Sequence, residues 1–326
     1  MNQNLKIGVV MGGPSSEHDI SLLTGTNVVE GLRDAGHEPT PVFVAENGNW
    51  FLAQKKGVAY DPVDVCGRFD VMFNAMHGEY GEDGRLQQVF ESCCVPYTGS
   101  GVAASALAMN KIISREIFKN AGLYVARAVA IRKDTYNPAW HSKEIHLISA
   151  PPWVVKPASR GSSVGVTIAY NFPELEQAIE HAFSYDKNIL VEEFIKGREI
   201  TCGVLENFNG ERHHVLHPIE IIPPEGRFFD YTAKYDGSTK EIPAPFFGEM
   251  LRLIKTTALT AHRVLGCRQY SRTDMIMKGT KLYVLETNTL PGLTKESLFP
   301  KAASWAKLEF PQLLDHLVQL AVSSPN

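Results

Sequence analysis

The sequence predicts an α/β protein: a parallel sheet in the first hundred residues, then a region that mixes strands and helices. Two observations carry this reading. Apolar runs of strand length alternate with helical periodicity up to about residue 109, the rhythm that sets strands parallel with helices on both faces. Near the C-terminus, two short apolar runs flank a glycine-containing connection, which reads as a β-hairpin.

In order, LKIGVVMGG (5–13) is a buried strand ending in glycines, and a helical pattern runs from about Glu17 to Asp34. TPVFVA (40–45) and FDVMFNAM (69–76) are further strands, with helices near Leu86–Ser92 and Val102–Met109. A helical segment, 109–123, leads into a second series: strands at 124–131 and 153–157, the small-residue loop Ala158–Val164, the strand GVTIA, a helix at Pro173–Ser184, and strands at 188–195 and 198–206. From about 207 to 245 five prolines and several glycines make the chain loop-rich, as in a mobile lid or an active-site loop. A helix at 247–265, the hairpin and a helix near Phe310–Ala321 complete the chain.

The hairpin holds the most chemistry. Met275–Met277 and Lys281–Leu285 flank Lys278-Gly279-Thr280. With a three-residue loop, Met277 pairs with Lys281, Arg272 falls opposite Glu286, and Arg272, Asp274, Glu286 and Asn288 share one face. A two-residue loop would shift the register by one and turn Glu286 to the other side. An Asp, a Glu and an Asn on one surface suit a hard cation such as Mg²⁺. Arg272 beside them can balance charge on a transferring phosphoryl or acyl group. An exposed hairpin with alternating charges would give the same pattern.

Bulk properties exclude several classes. The 326 residues are 44% hydrophobic and 21% charged, ordinary for a soluble globular protein. A net charge of -4 and a pI near 6.3 leave no basic footprint for nucleic acid or anionic membrane. No apolar run is long enough to span a bilayer, and MNQN followed by LKIGVV lacks a signal-peptide layout. Cys66, Cys93, Cys94, Cys202 and Cys267 are odd in number and lack CxxC spacing, against a disulfide framework or zinc site. A reducing cytoplasm is the expected compartment, with most of the thiols as apolar fillers.

Ligands on parallel sheets gather at the carboxyl ends of strands, where GGPSSEH (12–18) and HGEYGEDG (77–84) lie. Pro14 removes a backbone donor from the first. Glu17 there could simply favour the helix dipole, and His77 could be a structural histidine. Lys156 precedes Pro157 and ASRGSSVG, a fixed cation beside free backbone N–H groups, as nucleotide phosphates require. Gly161, Ser163 and Gly165 match the nucleophile elbow of α/β-hydrolases, yet VGVTIA reads as strand where the elbow needs a helix. NILVEEFI has the character of an adenine slot: an apolar floor, strand-edge backbone, and Glu192 or Glu193 for an exocyclic amine.

Taken together, GGPSSEHDISL, HGEYGEDGRLQ, VPYTGSGVAASALAMNK, VVKPASRGSSVGV, EEFIKGREIT, FFDYTAKY, RTDMIM and LETNTLPGLTKESLFP resemble the ATP-grasp superfamily, and within it the D-alanine–D-alanine ligases. The match runs from about Lys6 to the terminal helix. It implies a Rossmann-like, pre-ATP-grasp domain at 1–108, a central ATP-grasp subdomain at 109–200, and a C-terminal one at 201–326 with the lid and metal hairpin. The resemblance places ATP between the last two, with Lys111 and Lys156 at the phosphates, Glu192 and Ile195 at the adenine, and Glu199 at the ribose. Lys234 would reach the γ-phosphate from a lid at roughly 223–245. Asp274, Glu286 and Asn288 would hold two Mg²⁺ ions, with Mn²⁺ as a substitute. Glu17 would take the ammonium of the first D-alanine, oriented through Ser162 and Tyr235, with His77 close by. Arg272 and the Gly292 N–H would form the oxyanion site, and Ser297 and Leu298 would receive the second D-alanine's carboxylate.

The implied activity is ATP-dependent ligation of two D-alanines through an acyl phosphate, for peptidoglycan precursors. A cytoplasmic homodimer through the N-terminal unit is implied, with no nucleic-acid or membrane partner. The alternative is a related ligase for a different D-amino acid or D-hydroxy acid, or a specialised dipeptide ligase. The chain departs from the family pattern at Asn110 (usually aspartate), Arg115 (commonly lysine) and Gln88 (commonly glycine). Relatives making D-alanyl–D-lactate tend to carry Phe in the lid, so Tyr235 favours an amine as second nucleophile.

Overall fold

Three sheets, each with its own helices, make up the computed structural model, which describes residues 4–52, 57–224 and 239–323. The first unit contains β1 (Lys6–Gly12), α1 (His18–Asp34), β2 (Glu38–Val44), β3 (Trp50–Leu52), α2 (Pro62–Cys66), β4 (Val71–Asn74), α3 (Arg85–Ser92) and α4 (Val102–Met109). Its strand order is β3-β2-β1-β4. β1 runs parallel to β2 and β4, as the βαβ rhythm predicts, and β3 is an antiparallel edge. β1 is covered on both faces. Ile7, Val9 and Met11 join one core, and Val10 joins another with Trp50, Met72 and Phe90.

The second unit has α5 (Lys111–Asn120), β5 (Ala128–Arg132), α6 (Pro138–Ile148), β6 (Trp153–Pro157), β7 (Thr167–Ala169), α7 (Phe172–Phe183) and β8 (Asn188–Glu193). Its strands are antiparallel in the order β5-β8-β6-β7, and α6 and α7 pack on one face. Both helices start on an asparagine cap with a proline at one of the first two helical positions: Asn137 accepts from Trp140 N–H, and Asn171 from Glu174 N–H. Such caps satisfy orphan donors and pre-set the first turn.

The third unit comprises β9 (Arg198–Phe208), β10 (Glu211–Val215), β11 (Ile219–Ile222), β12 (Lys240–Pro243), α8 (Gly248–Val264), β13 (Tyr270–Lys278) and β14 (Lys281–Asn288). The order is β12-β11-β9-β13-β14, with β10 also on β9. The stretch 207–245, expected to be loop, therefore contains three strands. β10 (ERHHV) and β12 (KEIP) are half-exposed or exposed throughout, so they lack the alternation that reveals a half-buried strand. The expected lid centres on residues 225–238, which lie outside the described set together with Lys234 and Tyr235.

Two last helices, α9 (Leu298–Trp305) and α10 (Phe310–Ser323), return to the first sheet. Phe299, Leu313, Leu314 and Leu317 share one core with Ile7 and Val9, each fully buried side chain contributing roughly 1.5–3 kcal/mol. His37 Nε2 meets Asp315 Oδ1 at 2.9 Å across this junction. Among the described residues no helix is long and apolar enough to cross a membrane. All five cysteines are free, with Cys66, Cys202 and Cys267 buried.

Candidate active site

The second and third sheets enclose a cavity of about 480 Å³, within the range of small-molecule sites. Val154, Lys156 and Glu192 line it from one side; Glu199, Asp274, Ile276 and Glu286 line it from the other. Lys111 and Ile195 also reach it.

The hairpin corrects one sequence expectation while keeping its consequence. Lys278 pairs with Lys281, so the loop has two residues and not three. Gly279 takes φ +61° at the first central position, where a type II′ turn needs glycine. That register alone would send Glu286 to the core side. A bulge intervenes: Met275 pairs with Val284 and Asp274 with Glu286, leaving Leu285 as the extra residue. One inserted residue restores the face. Arg272 consequently lies opposite Asn288, not Glu286.

The four polar groups converge. Arg272 donates from Nε and Nη2 to the two oxygens of Asp274 at 3.0 and 2.9 Å. Asn288 donates to Asp274 Oδ2 at 3.0 Å, and Thr201 donates to Oδ1 at 2.6 Å. Lys111 Nζ is 3.0 Å from Glu286 Oε2 and donates to the Arg160 carbonyl at 2.7 Å. Lys156 meets Glu192 at 2.7 Å, their side chains only 9% and 10% exposed. Each cation thus pairs with a carboxylate in or beside one cavity. A polyphosphate would compete for the cations and a divalent ion for the carboxylates. Asp274, Glu286 and Asn288 offer oxygen donors only, so the residues fit Mg²⁺.

Glu17 stands at the N-cap position of α1, makes no side-chain cap bond, and is buried beside the loop 158–164. Ser162 donates to its Oε1 in a short hydrogen bond. A Cβ at Gly78 or Gly161 would lie 2.8 or 2.7 Å from Glu17 Oε2, so both loops press on the carboxylate as only glycine permits. Ser162 and Ser163 sit at φ +48° and +59°, a left-handed conformation costing roughly 1–2 kcal/mol per residue. The segment continues into β7, antiparallel to β6, so no helix follows Ser163 and the nucleophile elbow is absent.

His77 is fixed by Ser21 Oγ, which accepts its N–H at 2.8 Å, and by Thr24 Oγ1, 2.9 Å from Nε2. Burial, with the Arg272 charge, lowers its pKa to about 4. The imidazole is therefore uncharged at neutral pH.

Glu82 was not singled out in the sequence, where it is one of three acids in HGEYGEDG. The structure separates them. Glu79 pairs with Arg160, and Asp83 accepts from Tyr80 N–H and Arg85. Glu82 accepts from Gly78 N–H at 2.7 Å and faces Glu17 and Glu286. Burial first, then the charge of Glu17, pushes its pKa up to about 8 against the Gly78 bond and Arg272. Thr201 was also missed, although it is two residues from Glu199 and so on the same face of β9.

Gly292 and Ser297 meet beyond the hairpin, where a Cβ on Gly292 would touch Ser297 Oγ at 2.9 Å. Ser297 Oγ accepts from Thr294 N–H, and Leu298 opens α9. The departures from the family pattern are accommodated. Asn110 caps α5 by accepting from Ile112 and Ile113 N–H, as an aspartate would. Arg115 donates to the Ala126 carbonyl, and Gln88 is exposed on α3.

Two antiparallel sheets closing on one cavity, joined to a parallel-sheet unit, is the ATP-grasp architecture, and the class is that of the ATP-grasp ligases. Models described as the D-ala D-ala ligase C-terminus and N-terminus match residues 117–319, and 6–64 with 54–100. The chain is 42% identical to a D-alanine–D-alanine ligase of Geobacter sulfurreducens over 302 residues, covering 91% of this chain and 88% of the relative. The crystal structure of VanG D-Ala:D-Ser ligase from Enterococcus faecalis superposes with a TM-score of 0.85 at 32% identity, covering 98% of this chain and 100% of that one. The ATP complex of D-alanine–D-alanine ligase from Bacillus anthracis gives 0.81 at 31% identity, covering 98% of each. The chain belongs to the D-alanine–D-alanine ligase family.

Proposed function

We propose that the protein joins two D-alanines at the expense of ATP, forming D-alanyl-D-alanine, ADP and phosphate for peptidoglycan precursors in the cytoplasm. The observation that carries this reading is that Asp274 and Glu286 line the cavity that also receives Lys111, with Arg272 and Asn288 hydrogen-bonded to Asp274 beside it. Around it we assign a pre-ATP-grasp domain at 1–108, ATP-grasp subdomains at 109–200 and 201–326, and a homodimer through the N-terminal unit.

In this reading Lys111, Lys156 and Lys234 hold the phosphates, Glu192 and Ile195 the adenine, and Glu199 the ribose. Asp274, Glu286 and Asn288 would hold Mg²⁺, which supplies charge neutralisation at the phosphates. Glu17, oriented by Ser162 and Tyr235, binds the ammonium of the first D-alanine, with the uncharged His77 beside it. The carboxylate of the first D-alanine takes the γ-phosphoryl group of ATP, and ADP departs. The second D-alanine, its carboxylate on Ser297 and Leu298, attacks the acyl carbon as a free amine. Arg272 and the Gly292 N–H stabilise the oxyanion; the C–N bond forms, phosphate leaves, and the amine gives up a proton. A lid over roughly 223–245 excludes water, which would otherwise hydrolyse the acyl phosphate.

The similarity to VanG makes D-serine the specific competitor for the second position. ADP release with D-alanine, L-alanine, D-serine and D-lactate, each product identified by mass, tests the proposal. D-alanine alone should give the fastest turnover and a D-alanyl-D-alanine product. Faster incorporation of D-serine or D-lactate at neutral pH overturns it.

A further inference from the structure

At the end of β9 remote from the cavity stands a second cluster of ligating side chains, which the proposed reaction does not use. Glu206 lies on β9, His213 on β10 and His262 near the end of α8. One ligand atom from each lies within 4.8 Å of the others, and among the described residues this is the one such group. His262 Nε2 and His213 Nε2 approach the same oxygen, Glu206 Oε1, at 3.3 and 3.6 Å. Ligands at zinc's usual distances in a tetrahedral shell stand about 3.3 Å apart. Two of the three separations therefore already match such a shell, and the third is within 4.8 Å.

We propose that Glu206, His213 and His262 form a binding site for a divalent ion of the zinc class, with a fourth position open to water. Two imidazoles and a carboxylate suit Zn²⁺, Co²⁺ or Ni²⁺ and are poor ligands for Mg²⁺. The site is thus chemically distinct from the oxygen-lined face of Asp274. It is also distant, since Glu206 is seven positions along β9 from Glu199, roughly 23 Å of strand.

The ligands are held from behind. His262 is 1% exposed, and its Nδ1 is 2.8 Å from Ser271 Oγ on β13. With the ring proton on Nδ1 donated to Ser271, Nε2 offers its lone pair to an ion, the outer-shell arrangement that fixes metal-bound histidines. Glu206 Oε2 accepts the Gln269 N–H at 2.8 Å, which leaves Oε1 directed at both imidazoles. An open recess lined by Glu211, Arg212, Arg263 and Arg268 gives access from solvent.

Arg263 opposes binding. Its Nη2 donates to His213 Nδ1 at 3.3 Å, and that tautomer carries its proton on Nε2, where the ion would sit. Coordination moves the proton to Nδ1 and turns the guanidinium away into solvent; a neutral ring loses no proton in total. Arg263 therefore acts as a competitor whose removal strengthens the site.

Full-length protein in millimolar Mg²⁺ is titrated with Zn²⁺ by calorimetry, and with Co²⁺ by visible absorption. One Zn²⁺ per chain is expected beyond any that Mg²⁺ displaces, and the Co²⁺ form shows tetrahedral d–d bands. Zn²⁺ at about 100 times its Kd raises Tm by roughly 5 °C. His213→Asn, at the more exposed of the two histidines, keeps its metal-free circular dichroism and binds at least about tenfold more weakly, as loss of even an outer-shell partner does. Arg263→Gln binds more tightly. Failure of the wild type to retain Zn²⁺ at micromolar concentration, or equal binding by wild type and His213→Asn, overturns the proposal.

Discussion

Asp274 and Glu286 lie directly opposite each other on neighbouring strands, and they share the cavity face because Leu285 is bulged out of the ladder beside them. A two-residue turn and one extra residue act together where a three-residue turn would have given the same face. Arg272 then forks onto Asp274 with both side chains largely buried, at 16% and 18% exposure. Breaking such a pair leaves a carboxylate without its main partner, which typically costs about 3–5 kcal/mol. Arg272→Met is expected to lose stability on that scale in metal-free protein, measured by urea unfolding. If Arg272 also serves the oxyanion, ADP release falls by about 10²–10³.

The hairpin shows how much the sequence carried and where it stopped. Period-two alternation paired Arg272 with Asp274 and Glu286 with Asn288, because that alternation belongs to the strand itself. Joining the two pairs on one face rested on a three-residue loop that the structure replaces with a two-residue turn and a bulge. The route to that face was not legible. Leu285 is an ordinary strand residue, and nothing in its identity marks a bulge. Likewise β10 and β12 are polar edges without an apolar face, so the chain from 207 to 245 read as loop. Glu82 could not be told from Glu79 and Asp83, because its surroundings are residues distant in sequence, Glu17 and Glu286. Glu206, His213 and His262 are scattered over three elements with no spacing that signals a ligand set.

His77 carries a signed pH dependence. Its folded pKa, about 4, lies below the ordinary histidine value of 6.5 because burial and Arg272 oppose protonation. The unfolded chain therefore binds the extra proton first. Stability is full above about 6.5 and is lost as pH falls toward 4, by roughly 3 kcal/mol. His77→Gln removes this contribution. Its unfolding free energy should change less than that of the wild type between pH 7 and 4, and identical slopes would contradict the assignment.

Glu82 has the opposite sign. Its folded pKa is raised to about 8 from 4.5, by burial and then by Glu17. The native state keeps a proton that the unfolded chain releases, so stability is full below about 4.5 and declines as pH rises through 8. Glu82→Gln holds the neutral form permanently. In metal-free protein it should gain on the wild type as pH rises from 5 to 8, read from urea midpoints at fixed ionic strength.

Arg160 ties the loop that delivers Ser162 to two separate units. It donates to the Tyr185 carbonyl from Nε and Nη2 at 3.1 and 2.9 Å, and it forms a short ion pair with Glu79 in the first unit. Ser159 N–H on the same loop is accepted by Asp186 at 2.9 Å. Because Ser162 and Ser163 are held in a left-handed conformation, a loop freed from Arg160 relaxes away from Glu17. Charged hydrogen bonds of this kind contribute about 1.5–3 kcal/mol each, and loss of one corresponds to roughly 10–100-fold. Arg160→Ala is expected to raise KM for the substrate whose ammonium Glu17 receives by that factor, with a smaller effect on kcat. Initial-rate kinetics of ADP release separate the two parameters. A loss confined to kcat would mean that Arg160 acts on the chemical step and not on the placement of Ser162.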